Sequence, residues 1–444
     1  MYKLEVNLKQ HTPLIHFHEQ QGATLRASEV KPKLDKYLKF MLGINDNQIE
    51  TTNKYKVWYQ KGKESTAFDY RLQIYSDAGN PKLIPENNRE DYPNFFGNMG
   101  ADYSKNPKYI SFTELPIRFI LSSFNSAKIE NESLLETINS IIPEFFLTHN
   151  FGTRQSKGYG SFYIHPDDSS YIDPHEVIKY QKVENPAFLR YSYKIEIDKT
   201  RTREDEKTYV LKTIETFYKA MRSGINVCWG RNQHYIKSWL WLYFTREFSR
   251  DKPIKWEKKK IKEQFLNGQE TKAQIIKHQD KEDFESSPIG YKGSYELLIK
   301  DLFGLASEEK WSAKYDNYKI VKVIDGIDRF PSPVFFKPLK IGSAFTVFFH
   351  AIAIDEKNSI LKKSVTINSS LVMQTPRRFD FHDFFDFLSS KSKFSLDNEF
   401  RFQVDEESVS VTQLKQERKN YFRSVENYRI LNPIIDQLQN KINA

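Results

Sequence analysis

Tyr2, Leu4, Val6 and Leu8 alternate with polar residues at the start of the chain. This is the period-2 pattern of a strand with one buried face, and it opens a series of six elements that restricts the fold more than any other feature. "ASEVKPKLDKYLKFMLG" then spaces Val30, Leu34, Tyr37, Leu38 and Met41 for a helix, with Gly43 where a C-terminal cap belongs. Strand-like runs follow at "YKVWYQ" and "FDYRLQIYS", then at "KYISFTELPIRFILS". Ser133 with Glu136 makes a capping box, and Leu134, Leu135, Ile138, Ile141 and Ile142 continue it as a helix. A glycine-rich stretch, "FGTRQSKGYGSF", leads into the short strand "GSFYIH". The order is β-α-β-β-α-β, the ferredoxin-like arrangement, in which the last strand pairs antiparallel with the first. The glycine-rich loop enters that last strand. It should therefore lie beside the residues leaving the first strand, "HTPLIHFHEQQG".

A second region begins near "AFLRYSYKIEIDK", where Leu189, Tyr191, Tyr193, Ile195 and Ile197 alternate as a strand. "EKTYVLKTIETFYKAMRSG" follows as a helix with Val210, Ile214, Phe217 and Met221 on one face and Gly224 near its stop. "HYIKSWLWLYFTREF" reads as a third helix, its Trp239, Trp241 and Tyr243 as core, and "KWEKKKIKEQFL" as a fourth, strongly basic one. Residues 267–287 are polar without an apolar period and read as a linker. Strands return at "YKIVKVI", "SPVFFKPLKI" and "SAFTVFFHAIAI", followed by a helix around "DFHDFFDFLSSK" and a basic terminal helix, "LKQERKNYFRSVENYRIL". The expectation is an α+β protein of two ferredoxin-like modules. Residues 1–185 carry the glycine-rich loop, and residues 186–444 form the second module with an inserted helical region over about 205–290.

At 444 residues, with 39% hydrophobic and 15% aromatic side chains, the chain has ample material for packed cores. Its formal net charge of +9 suits a polyanionic partner. One cysteine, Cys228, allows neither an internal disulfide nor a cysteine-based zinc site, which points to a reducing, cytoplasmic setting. The N-terminus does not read as a signal peptide, and the longest apolar run, residues 344–354, is too short for a membrane span.

Gly152, Gly158 and Gly160 permit turns and close backbone approach, while Arg154 and Lys157 add positive charge beside the exposed backbone. Phosphate is the natural guest, and Tyr159 is a candidate to stack on a base. The alternative is an ordinary loop that needs glycine for its turns. No "GxxxxGK[ST]" occurs, so no P-loop is implied. Arg26, Lys31 and Lys33 open the first helix, where exposed N–H groups also attract phosphate.

The order helix, "GTRQSKGYGSF", strand resembles the glycine-rich loop of the RAMP superfamily, the ferredoxin-like RNA-binding subunits of CRISPR systems. Within it, the chain looks most like the two-module subunit at one end of type III-B (Cmr) effector complexes. "LKQHTPLIHF", "FYKAMRSGIN" with "YIKSWLWLY", and "RFPSPVFFKP" are similar to further segments of such subunits. The lack of a second glycine-rich loop and the charged insertion around 250–287 depart from the pattern. The resemblance implies a guide-RNA partner, with target RNA as a further one, neighbouring effector subunits and a part in antiviral defence. It implies no cofactor.

His16 and His18 share one side of an extended segment and are expected near Lys157. That set suggests a rival activity, a metal-independent endoribonuclease using a histidine as general acid or base and Lys157 to steady the phosphate. Pre-crRNA-processing RAMP enzymes are similar in placing a histidine there. His11 has the opposite strand parity, which weighs against a metal site built from the three histidines. Asp380, Asp383 and Asp386 fit an ordinary amphipathic helix better than a metal site. The phenylalanines and prolines of "RFPSPVFFKP" suit either a subunit-docking face or a core. The reading is a non-catalytic RNA-binding subunit of a type III CRISPR effector.

Overall fold

The computed structural model describes residues 1–16, 25–44, 54–60, 67–76, 82–84, 109–181, 190–197, 205–229, 232–248, 254, 256–265, 274–275, 297–305, 307–312, 317–327, 329–352, 360–400 and 421–441. The chain forms two compact units, one of residues 1–211 with 335–350, the other of residues 212–334 with 351–444. It is a mixed α and β protein whose large sheets are antiparallel.

In the first unit the chain runs β1 (Tyr2–Gln10), β2 (Leu14–His16), α1 (Ala27–Met41), β3 (Arg71–Tyr75), β4 (Lys82–Leu83), β5 (Tyr109–Ser111) and β6 (Ile117–Ser123). A small hairpin of β7 (Lys128–Ile129) and β8 (Glu132–Ser133) leads to α2 (Leu134–Thr148), β9 (Phe162–Ile164), α3 (Pro174–Lys179) and β10 (Tyr191–Ile195). The main sheet has the order β3-β6-β1-β9, every neighbouring pair antiparallel. The last strand therefore closes on the first, as the element order leads one to expect.

The period-2 pattern of β1 sorts its side chains. Val6 and Leu8 turn into a core with Leu34 and Leu38 of α1 and Ile138, Ile142, Phe145 and Phe146 of α2. Glu5, on the opposite face, pairs with Arg118 at 2.7 Å. The capping box is formed: Ser133 Oγ accepts from Glu136 N at 3.3 Å, and Ser133 N donates to Glu136 Oε2 at 2.7 Å. "KYISFTELPIRFILS" supplies strands to two sheets, because β5 pairs with β2 and β4 in a separate three-stranded sheet.

"YKVWYQ" is not a strand. Lys54–Trp58 is a 3-10 helix, in which side chains three apart eclipse, so Tyr55 packs on Trp58 at 5.5 Å. Trp58 is buried and its Nε1 donates to Ala127 O.

Helix α4 (Glu206–Arg222) starts in the first unit and continues in the second, where β11 (Ile225–Trp229) and β12 (Asn232–Ile236) form an antiparallel pair. The predicted third helix is thereby divided. Its first residues belong to β12, Ser238 caps the short helix α5 (Trp239–Tyr243) by accepting from Trp241 N, and Phe244–Phe248 is a π-helical turn. A cap fixes the helix start, and the residues before it meet their hydrogen-bonding needs in the strand pair. Trp239, Trp241 and Tyr243 are buried, as expected of core residues.

Helix α6 (Glu257–Phe265) matches the basic helix of the sequence reading. Of the expected linker 267–287, only the described pair in β13 (Gln274–Ile275) is placed, parallel to β12; the rest lies outside the described residues. β14 (Glu308–Ser312) and β15 (Asn317–Ile324) follow, then β16 (Val334–Ile341) and β17 (Ala344–Ala351), and finally β18 (Ser364–Ile367) and β19 (Leu371–Gln374). "YKIVKVI" does not join the other returning strands: it is β15, in a four-stranded sheet of order β14-β15-β18-β19. β16 and β17 form a sheet with β10 instead, in the order β10-β17-β16.

The four-stranded sheet encloses charge as well as apolar groups. Lys322, wholly buried, donates to both oxygens of buried Asp301, at 2.9 and 2.7 Å, and to Glu309 at 3.1 Å. Helix Phe381–Ser389 buries Phe384, Phe385 and Phe387, and Asp380 caps it by accepting from His382 N. The terminal helix occupies Glu426–Lys441 after a 3-10 turn at Tyr421–Ser424; residues 414–420 of the predicted helix lie outside the described residues.

Candidate nucleic-acid interface at the glycine-rich loop

Helix α2 delivers the chain to His149, and Asn150 bridges to Ser161, so the ten residues between them form a closed loop. Phe151 holds the near end, buried against Phe145, Phe146 and Phe162. The glycines answer specific demands. Gly160 has φ +65°, and a Cβ there would lie 1.9 Å from Phe151 O; Gly152 has φ +77°, and its Cβ would meet Ile15 O at 2.7 Å. Arg154 adopts the left-handed region at φ +58° and starts the 3-10 turn Gln155–Lys157.

The loop lies against the residues leaving β1, as the strand order requires. Thr153 N donates to Ile15 O at 3.0 Å and Gly160 N to Pro13 O at 2.8 Å. Thr12 Oγ1 donates to Gly158 O at 2.6 Å and accepts from Ser161 N at 3.0 Å. The start of α1 meets the other flank: Glu29 Oε1 accepts from Gly152 N at 2.7 Å, and Lys33 Nζ donates to Asn150 O and Gln155 Oε1.

These bonds change the roles expected of the loop. The amides of Gly152, Thr153, Lys157, Gly158 and Gly160 are donated within the protein, so they do not form an open anion-binding concavity. Lys157 is buried. Tyr159 is wholly buried in a small cluster with Ile15, Ile84, Ile110 and Leu211, which encloses its ring instead of leaving a face open for a base. What the loop presents outward is Gln155, with Thr153, Arg154 and Ser156 half-exposed.

Lys31 is also committed within the fold, to Asp35 at 3.0 Å, to Phe68 O at 3.1 Å and over the Tyr70 ring at 3.8 Å. Arg26 stands at the N-cap of α1, and its Nε and Nη2 are buried without an acceptor among the described residues. The backbone of His16 ends β2, but its side chain, and the whole of His18, lie outside the described residues. Among the described residues no cluster of His, Cys, Asp or Glu could hold a metal ion, and no helix is long and apolar enough to cross a membrane.

Sequence reasoning missed the groups that anchor this site. His11 is buried; its N–H donates to Ser161 O at 2.8 Å and its Nδ1 accepts from Lys340 N at 2.8 Å. Burial, and then the charge of Lys337, keep its imidazole well below the usual histidine range. Asn150 Nδ2 donates to Phe336 O at 2.8 Å, and Ser161 Oγ to Pro338 O at 2.8 Å. β16 thus backs the loop. Within "RFPSPVFFKP", Phe336 and Pro338 are buried and Phe335 packs on His350 at 5.2 Å, so this stretch serves the core. The one available signal was a lysine inside an otherwise apolar strand, "VFFKPL".

A family profile described as the Cmr1 N-terminal domain matches residues 1–225, and one described as the Cmr1 C-terminal domain matches residues 235–419. A search of curated proteins gives no match. Among solved structures, the apo form of Cmr1 from Pyrococcus furiosus is similar at 12% identity over 80% of this chain and 90% of that one, with a TM-score of 0.35. With the two profiles together spanning both halves, the chain belongs to the Cmr1 family.

Proposed function

We propose that the chain is a non-catalytic, RNA-binding subunit of a type III-B CRISPR effector ribonucleoprotein, acting in the cytoplasm as part of antiviral defence. The observation that carries this reading is the match of both Cmr1 profiles along the chain. The sheet order β3-β6-β1-β9 supports a ferredoxin-like first module. Guide RNA would meet the outward edge of the glycine-rich loop, at Arg154, Gln155 and Ser156, with Arg26 at the start of α1 as a second cation. Gly152, Lys157, Gly158, Tyr159 and Gly160 would give that edge its shape. The second module of the sequence reading, residues 186–444, would dock neighbouring subunits through the part of it that forms the second unit, residues 212–334 and 351–444. Binding would be electrostatic and tolerant of sequence.

Incubating the purified chain with labelled repeat RNA in EDTA tests this. Retention without cleavage is expected. Defined cleavage would identify a metal-independent endoribonuclease, and absence of both would leave an assembly role.

A further inference from the structure

Lys337 is wholly buried in the first unit, yet it carries an amine. Its Nζ donates to His149 O at 2.7 Å, Asn150 Oδ1 at 3.1 Å and Phe162 O at 2.8 Å. A lysine side chain has three N–H donors as an ammonium and two as a neutral amine, and these three acceptors surround it in either state. Among the described residues no carboxylate pairs with it. Burial, and next the charge of Lys33, push its pKa well below the usual lysine range.

A buried cation without a counter-anion is costly, and a core position filled by an apolar side chain of similar volume avoids that cost. Stability of the core alone is therefore a poor reason for a lysine here. The three acceptors supply a better one. His149 is the C-cap of α2, where carbonyls lack helical partners and the helix dipole favours a cation. Asn150 opens the glycine-rich loop, and Phe162 begins the strand after it. One side chain thus ties both ends of the loop together, from a strand 175 residues beyond Phe162. The bonds from Asn150 to Phe336 and from Ser161 to Pro338 lie along the same strand and hold the same two ends, and Lys340 N, further along it, donates to His11, whose backbone N–H donates to Ser161 O.

We propose that Lys337 is a positioning residue of the glycine-rich loop, through which β16 sets the geometry of the loop's outward edge. Its consequence for RNA rests on the function proposed above. Lys337 touches no RNA in this account; it holds the backbone from which Arg154 and Gln155 project.

The test uses the full chain carrying Lys337→Met, with Ser161→Ala as a milder variant that removes one bond and leaves Lys337 in place. Amide hydrogen exchange is measured over residues 149–162 without RNA, and binding of labelled repeat RNA is measured well below the melting temperature. Lys337→Met should accelerate exchange in the loop, but not in helix Phe381–Ser389, and weaken RNA binding about tenfold. Ser161→Ala should act in the same direction by a smaller factor. Unchanged loop exchange in folded Lys337→Met overturns the proposal. If that variant does not fold, unchanged loop exchange in Ser161→Ala overturns it. Accelerated exchange with a wild-type chain that never binds RNA upholds the positioning role and overturns the RNA function instead.

Discussion

Gly160 and Phe151 meet backbone to backbone. Phe151 N donates to Gly160 O at 2.9 Å, and there is no room for a side chain at residue 160, whose Cβ would stand 1.9 Å from Phe151 O. Gly160→Ala should therefore destabilise the first unit by about 3 kcal/mol or more, since it adds a steric clash to a left-handed backbone. Denaturant unfolding followed by fluorescence measures this. A variant as stable as the wild type would mean that the loop is not closed in this way.

Tyr159 separates a packing role from a base-stacking one. It is wholly buried with Ile15, Ile84, Ile110 and Leu211, so Tyr159→Ala should cost about 3–5 kcal/mol through the cavity it leaves. A base platform on the surface would behave differently, losing RNA affinity with little change in stability. Thermal unfolding and RNA titration of the same variant distinguish the two.

Under the proposed function, Arg154 and Arg26 are the cations that would meet phosphate. Replacing each with alanine should weaken repeat-RNA binding and lower the slope of log affinity against log salt by about 1 per residue. An unaltered slope in the folded double variant removes both from the interface.

Acid should weaken the first unit through its histidines. Burial pushes the His149 imidazole down to about 4, and His11 is likewise held well below the usual 6.5. Both are therefore favoured neutral in the fold, the unfolded chain binds more protons below about 6.5, and stability falls as pH drops from there towards 4. Each contributes at most about 1.4 kcal/mol per pH unit. Denaturation midpoints at pH 7.5, 6 and 5 measure the slope, and His11→Asn, which keeps an acceptor for Lys340 N, should flatten it. An equal slope in His11→Asn would show that His11 is not among the groups responsible.

The second unit depends on Lys322 and Asp301, a pair enclosed together at 2.7 Å. Lys322→Ala strands a buried carboxylate and should cost about 3–5 kcal/mol. Calorimetric unfolding of wild type and variant gives the difference, and a loss below 1 kcal/mol would indicate that water reaches Asp301.

The sequence alone determined what short-range forces determine. Periodicity identified β1, α1, α2, β16 and β17; the pair Ser133 and Glu136 marked the start of α2; and the order of elements put the loop beside residues 11–15. Apolar spacing and capping act within a few residues, so they are written locally. Tertiary structure decided the rest. It buried Lys157 and Tyr159, which the sequence reading offered to RNA, and committed Lys31 to Asp35. It assigned β15 to a sheet separate from β16 and β17, and divided one predicted helix into strand, cap and short helix. It also set Lys337 beneath the loop, 175 residues from Phe162. Which face of a loop is covered, and which strands become neighbours, depend on packing between segments far apart in sequence, and no local pattern of side chains encodes that partner.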